Sequence, residues 1–215
     1  MPARARSREP VLTGRDEALL ECLTGRFRLI TPALLARLWG CSEACVRRRL
    51  RALDAAGLVL TARVQARPLL DLSGPLVRWE PGGPEPDFGR VSYRLKARWR
   101  EPPVTTTVYL AGRRAVHLFG GSGGRLDYPL QATHDLHVAA IYARLAEADP
   151  GQLARWRGEE TLRRGRKRGK IPDAVLVDGR GRPTRAIEFG GSYGPARVRV
   201  FHRVCANARL AYELW

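Results

Sequence analysis

The sequence predicts an α+β protein, and three observations lead there. Residues 13 to 66 carry three helical patterns, each opened by a capping residue and followed by strand-like alternation. Residues 132 to 215 read as helix, strand, strand, strand, helix, strand, an αβββαβ order. A hydrophobic fraction of 44% over 215 residues is enough for packed cores. The expected divisions are a basic disordered arm at 1–12, a winged helix-turn-helix at 13–73, a β-rich connector at 74–131 and an α/β domain at 132–215.

In "TGRDEALLECL", Thr13 and Asp16 stand at capping-box spacing, and Leu19, Leu20 and Leu23 make one apolar stripe. "TPALLARLWG" offers Thr31 as N-cap, Pro32 at the first helical position and Gly40 as a stop. "SEACVRRRLRALDAAG" follows after a short turn, with Ser42 as N-cap and Glu43 in the first turn, and ends at Gly57. At 100° per residue this third helix sets Val46, Leu50 and Leu53 opposite Arg47, Arg48 and Arg51, with Arg49 at the edge of the apolar stripe. A helix, short turn and second helix with a basic outer face is a helix-turn-helix, whose second helix enters the major groove of double-stranded DNA. "LVLTARVQARPLLDL" reads as two strands around a basic turn at Gln65 to Arg67, a wing presenting Arg63 and Arg67. The alternative is a structural three-helix bundle with a solvated basic face. Cys41 and Cys45, one helical turn apart without further ligands, read as packing residues.

The formal net charge is +17, and only Lys96, Lys167 and Lys170 are lysines among 38 basic residues. Arginine's planar fork suits phosphate and guanine edges. GC-rich codons would explain arginine over lysine, but not the net charge. The four cysteines follow no zinc spacing. "MPARARSREP" is basic without the apolar stretch of a signal peptide, and no window approaches a membrane span. A cytoplasmic, nucleoid-associated bacterial protein without membrane contact is the expectation.

In the connector, "GGPEPDFG" is a loop by composition. "VSYRLKARW" alternates as a strand, and "VTTTVYL" is a second strand, so the two should form a hairpin or small sheet with one basic face. "HLFGGSGGRLDYP" behaves as a hinge.

The last unit opens with "THDLHVAAIYARLAEA", a helix begun by Thr133, followed by a strand around Glu159 to Leu162. The loop Arg163 to Lys170, with Arg166, Lys167, Arg168 and Lys170, could clamp a DNA backbone or simply be solvated. Strands Asp173–Val177 and Thr184–Phe189 follow, then a helix from Pro195 to about Ala208 and a last strand, "AYELW". If Asp178 to Pro183 is the hairpin connection, Asp173 and Glu188 face one another. Like charges roughly 5 Å apart need neutralising by a divalent cation, a shared proton or an arginine. Oxygen-only ligation suits magnesium.

Pro172-Asp173 and Glu188 in this element order resemble the PD-(D/E)xK nuclease fold. With the winged helix and "HDLHVAAIY", the chain is similar over 13–66 and 133–215 to the replication-relaxation family of bacterial plasmid and mobile-element proteins. The resemblance implies a restriction-endonuclease-like C-terminal domain in which Asp173 and Glu188, with Glu159 or Glu160, would hold Mg2+. The lysine of that motif, two residues after the acid, is Gly190 here, so a cation such as Lys170 or Arg197 would have to come from elsewhere. The expected function is sequence-preferring DNA binding that regulates transcription or replication of a mobile element, the nuclease-like domain being inactive. Two alternatives stay open: a metal-dependent endonuclease using Asp173, Glu188 and Lys170, and an adaptor recruiting partners to DNA. A palindromic site would imply a homodimer, and a mobile-element or replication protein is the expected protein partner.

Overall fold

A computed structural model describes residues 10–121, 126, 131–163 and 170–215. Among them, eight α-helices and eight strands in two sheets make the architecture α+β. None of these helices is long and apolar enough to cross a membrane. Most of the basic arm, residues 1–9, lies outside the described residues, as do 122–125, 127–130 and 164–169.

Helix α1 (Gly14–Gly25) starts at a capping box in which Thr13 and Asp16 bond reciprocally. A two-residue strand β1 (Leu29–Ile30) leads to α2 (Pro32–Trp39), capped by Thr31 and stopped at Gly40, whose φ of 60° is the left-handed conformation that glycine tolerates. Helix α3 (Glu43–Ala55) is capped by Ser42 and buries Val46, Leu50 and Leu53. Strand β2 (Val59–Ala66) then runs unbroken. The expected hairpin at Gln65 to Arg67 is therefore absent. That stretch offers none of the Gly, Asn or Asp that tight hairpin turns require. The partner of β2 is β4 (Val104–Ala111), giving the sheet order β1-β4-β2.

The intervening residues are not a connector of their own. Strand β3 (Val77–Trp79) joins the edge of the second sheet. "VSYRLKARW" is helical over Val91 to Ala97, the end of α4 (Phe88–Ala97). Phe88, Val91 and Leu95 satisfy a helical period as well as their neighbours satisfy alternation, and Asp87 decides the matter by accepting the Arg90 N–H at 2.9 Å as an N-cap. Strand β4 leads through Gly112 into α5 (Arg113–Phe119).

Helix α6 (Gln131–Ala148) begins before Thr133, so Thr133 is not its cap. A 3-10 helix (Pro150–Arg155) precedes β5 (Trp156–Gly158). The strand expected at Glu159 to Leu162 thus lies just upstream, and those residues form α7 (Glu159–Arg163). Strands β6 (Ala174–Val177) and β7 (Pro183–Glu188), helix α8 (Pro195–Asn207) and β8 (Ala211–Leu214) complete the order. The sheet runs β3-β8-β7-β6-β5, with only β7 and β8 parallel.

Helices α1, α2, α3 and α6 share one core with Trp156, Ala174, Ile187, Phe189 and Trp215. Side chains alternate along a strand, so Ala186, Tyr212 and Leu214 point to the opposite face, where α4 and α8 cover them.

Candidate functional site

Two places hold the residues singled out in the sequence. The first is the outer face of α3. Val46, Leu50 and Leu53 are fully buried, and this anchors the helix so that Arg47, Arg48 and Arg51 are exposed. Arg47 bonds Glu43 one turn earlier. Arg48 and Arg51 form no ion pair among the described residues. Arg49 turns inward instead: its Nε and Nη2 donate to Asp16 at 2.9 and 2.6 Å, and Asp16 is 1% exposed. Burial alone would raise the Asp16 pKa, but Arg49 and Thr13 outweigh it and hold the carboxyl below its usual value.

Of the expected wing residues, Arg63 is exposed on β2. Arg67 is held down: its N–H donates to Thr133 Oγ1 at 3.0 Å, its Nη1 donates to the Glu101 carbonyl at 2.7 Å, and its guanidinium lies 5.4 Å from the Trp99 ring centre. Arg166, Lys167 and Arg168 fall outside the described residues.

The second place is interior. The β6–β7 ladder pairs Ala174 with Ile187, which puts Asp173 opposite Glu188 as the register argument expected. They do not present two bare carboxylates. Asp173 Oδ2 accepts the Phe189 N–H at 2.7 Å, and Oδ1 lies 3.2 Å from His134 Nε2. Glu188 Oε2 accepts the Asp173 N–H at 3.3 Å, and Oε1 accepts Lys170 Nζ at 2.5 Å as well as the Tyr193 hydroxyl. Every carboxylate oxygen already has a donor.

Burial and the Asp173 charge push the Glu188 pKa above its usual value, while Lys170 and Tyr193 pull the other way. The Lys170 ammonium and the Asp173 N–H, which can only donate, favour the charged form of Glu188. Burial would lower the His134 pKa, but Asp173 and Asp135 more than reverse this and raise it to about 10, so His134 is a cation at neutral pH. Lys170 is likewise held charged by Glu188 against its own burial.

Lys170 thus supplies the cation for which the sequence offers glycine. At Gly190 itself a lysine has no room: a Cβ there would lie 2.8 and 2.9 Å from the two methyls of Leu95 and 3.1 Å from Leu214 Cδ1. Glu160 is spent elsewhere, accepting Arg28 Nε and Nη2 at 3.0 and 2.6 Å.

Beside these groups is a cavity of about 30 Å³ lined by Arg28, His134, Asp135, Glu159, Glu160 and Asp173. The residues present do not fit magnesium in this arrangement. Among the described residues no group of three or more His, Cys, Asp or Glu is placed to hold a metal ion, and protein donors occupy Asp173, Glu188 and Glu160. His134, Tyr193 and Arg28 had no role in the sequence reading. His134 stood in the quoted "HDLHVAAIY", but only the fold shows that α6 brings it to Asp173. No protein-family model matches the chain, and no curated protein and no solved structure matches it.

Proposed function

We propose that the protein binds double-stranded DNA through α3, with residues 14–66 and β4 acting as a winged helix, and that it regulates transcription or replication of a mobile element. The observation that carries this reading is the outer face of α3: Arg47, Arg48 and Arg51 stand exposed on a helix whose other side is locked in the core and whose start follows α2 by a three-residue turn. The strands support it, because β1, α2, α3, β2 and β4 follow the order of a winged helix, residues 67–103 being inserted where the wing would turn.

The C-terminal unit is proposed as a nuclease-like scaffold that does not hydrolyse DNA. Lys170 near Glu188 favours the hydrolytic alternative, since it puts an amine beside the acid. The same contact argues against it, because that amine is consumed in neutralising Glu188 rather than left for a developing phosphate charge.

Quantitative binding to a set of promoter and origin duplexes tests the reading. The triple variant Arg47→Ala, Arg48→Ala and Arg51→Ala is expected to lose sequence preference, with a shallower dependence on salt. Unaltered preference in that variant would sink the α3 assignment. Plasmid nicking that requires magnesium or manganese and vanishes in Asp173→Asn would overturn the inactive scaffold. Partner capture that survives the triple variant would favour the adaptor.

A further inference from the structure

We propose that the outer face of α4 and α8 is a second contact surface for duplex DNA, engaged through phosphates and separate from α3; the choice of ligand rests on the reading above. The two helices lie side by side in opposite senses. Ser92 Oγ donates to the Tyr193 carbonyl at 2.9 Å near one end, and the rings of Phe88 and His202 are 5.6 Å apart toward the other. Their apolar sides, among them Val91, Leu95, Val198 and Phe201, are buried against the five-stranded sheet.

This leaves a basic outer side. Arg90 and Arg94 on α4, and Arg199 and Arg203 on α8, are all exposed. On each helix the two arginines are four residues apart, roughly 6 Å along the axis at 1.5 Å per residue, and share a face. The Arg199 guanidinium lies 5.3 Å from the centre of the Phe88 ring, reaching from α8 onto α4 and joining the two rows.

Among the described residues none of these four arginines forms an ion pair. Several other surface arginines do meet carboxylates, as Arg37 meets Glu147, Arg182 meets Asp178 and Arg185 meets Glu80. Of the acids bordering this face, Asp87 is used as the cap of α4, while Glu85 lies off its edge, 3.9 Å from His202. Unmatched arginines in paired rows present their planar forks to an external polyanion. The exposed apolar groups here are Tyr93 on α4 and Val200 with the less exposed Val204 on α8, too few to supply the clustered aromatic anchors of a protein–protein interface. The sheet stands between this face and the core that holds α3, so the two surfaces take separate stretches of DNA.

The test uses the full chain and random-sequence duplexes, one immobilised and one labelled in solution. Wild type is expected to capture the second duplex. The variant Arg90→Gln, Arg94→Gln, Arg199→Gln and Arg203→Gln is expected to lose capture, and the slope of log K against log salt to fall by about 3 to 4, close to 0.9 per phosphate. Lysine at the same four positions should retain both properties, since it keeps the charge. Wild-type capture and slope in the glutamine variant would overturn the proposal, as would equal loss in the lysine variant, which would assign the effect to packing. Retained duplex binding with lost binding of polyglutamate would also overturn it, in favour of an acidic protein. If the α3 triple variant loses sequence preference while the glutamine variant behaves as wild type, the second surface fails and the α3 reading stands. The reverse pattern removes α3 and keeps this face.

Discussion

The outer face of α3 and the interior beneath β6 and β7 both gather charge, and they treat it in opposite ways. On α3 the backbone is fixed by buried Val46, Leu50 and Leu53, while Arg48 and Arg51 reach into solvent with no carboxylate partner among the described residues. In the interior, Asp173 and Glu188 are met oxygen by oxygen by His134, Lys170, Tyr193 and backbone N–H groups. A net charge of +17 does not by itself say where a ligand binds. What can act on a polyanion is the charge left over after internal pairing, and the proposed function follows that remainder.

The sharpest way to break this contrast is to expose the interior's dependence on pairing. Lys170→Met leaves Glu188, which is 0% exposed, without its cation. Removing one partner of a buried pair costs about 3 to 5 kcal/mol, and the lower end is expected because the Lys170 side chain is 27% exposed. Urea unfolding measures the loss. Adding Glu188→Gln to Lys170→Met should recover much of it, since the uncompensated charge disappears. Additive losses in the double variant would show that the two side chains do not interact.

A smaller effect tests the contrast within α3 itself. Arg49→Ala strands Asp16 beneath the helix and should cost about 2 kcal/mol, in the range of charged hydrogen bonds. Arg51→Ala, two residues on, should change stability by less than about 0.5 kcal/mol, as exposed substitutions do. Equal losses in the two variants would mean that the arginines of this helix are not divided between an inward anchor and an outward face.

Gly190→Ala comes next, at about 1 to 3 kcal/mol for overpacking. The added methyl meets Leu95 and Leu214, both essentially fully buried and unable to yield into solvent. A melting temperature equal to wild type would mean that the site relaxes around position 190, and that its lack of lysine is not imposed by packing.

What was legible in the sequence follows the reach of each signal. Thr13, Thr31, Ser42 and Gly40 mark helix ends through bonds to residues three or four away, and the structure shows those helix ends where the sequence put them. The register of Asp173 against Glu188 was read correctly, although Pro183 belongs to β7 and pairs with Val177 across a register shift rather than lying in the connection. Long-range choices were not legible. The partner of β2 is β4, with residues 67–103 intervening, so a local hairpin was the nearest guess. Residues 91 to 99 satisfy two periods at once, and Asp87, upstream of the pattern, was the deciding cap. Lys170, three residues before Asp173, was within reach of the sequence reading as a cation for this site, whereas His134 is distant in sequence from Asp173 and only the packing of α6 brings the two together.

The last test is the dependence of stability on pH, and it separates two histidines three residues apart on α6. His137 is buried and neutral: its Nδ1 is 2.6 Å from the Thr133 carbonyl, and its Nε2 accepts the Leu70 N–H at 3.1 Å. Burial lowers its pKa to about 4. Its contribution is therefore present above the unfolded value of about 6.5 and is lost as pH falls from there toward 4. His134, raised to about 10 by Asp173 and Asp135 against its burial, behaves inversely. Its contribution is complete below about pH 6.5 and disappears as pH climbs toward 10. Melting temperatures recorded from pH 4.5 to 9.5 should show this as a difference between variants. Relative to wild type, His134→Asn should lose most at acidic and neutral pH and converge at alkaline pH, while His137→Asn should lose most above neutrality. A His134→Asn deficit that is constant across the range would mean that His134 is not a cation beside Asp173, and that the interior carboxylates are less completely paired than the outer face of α3 is open.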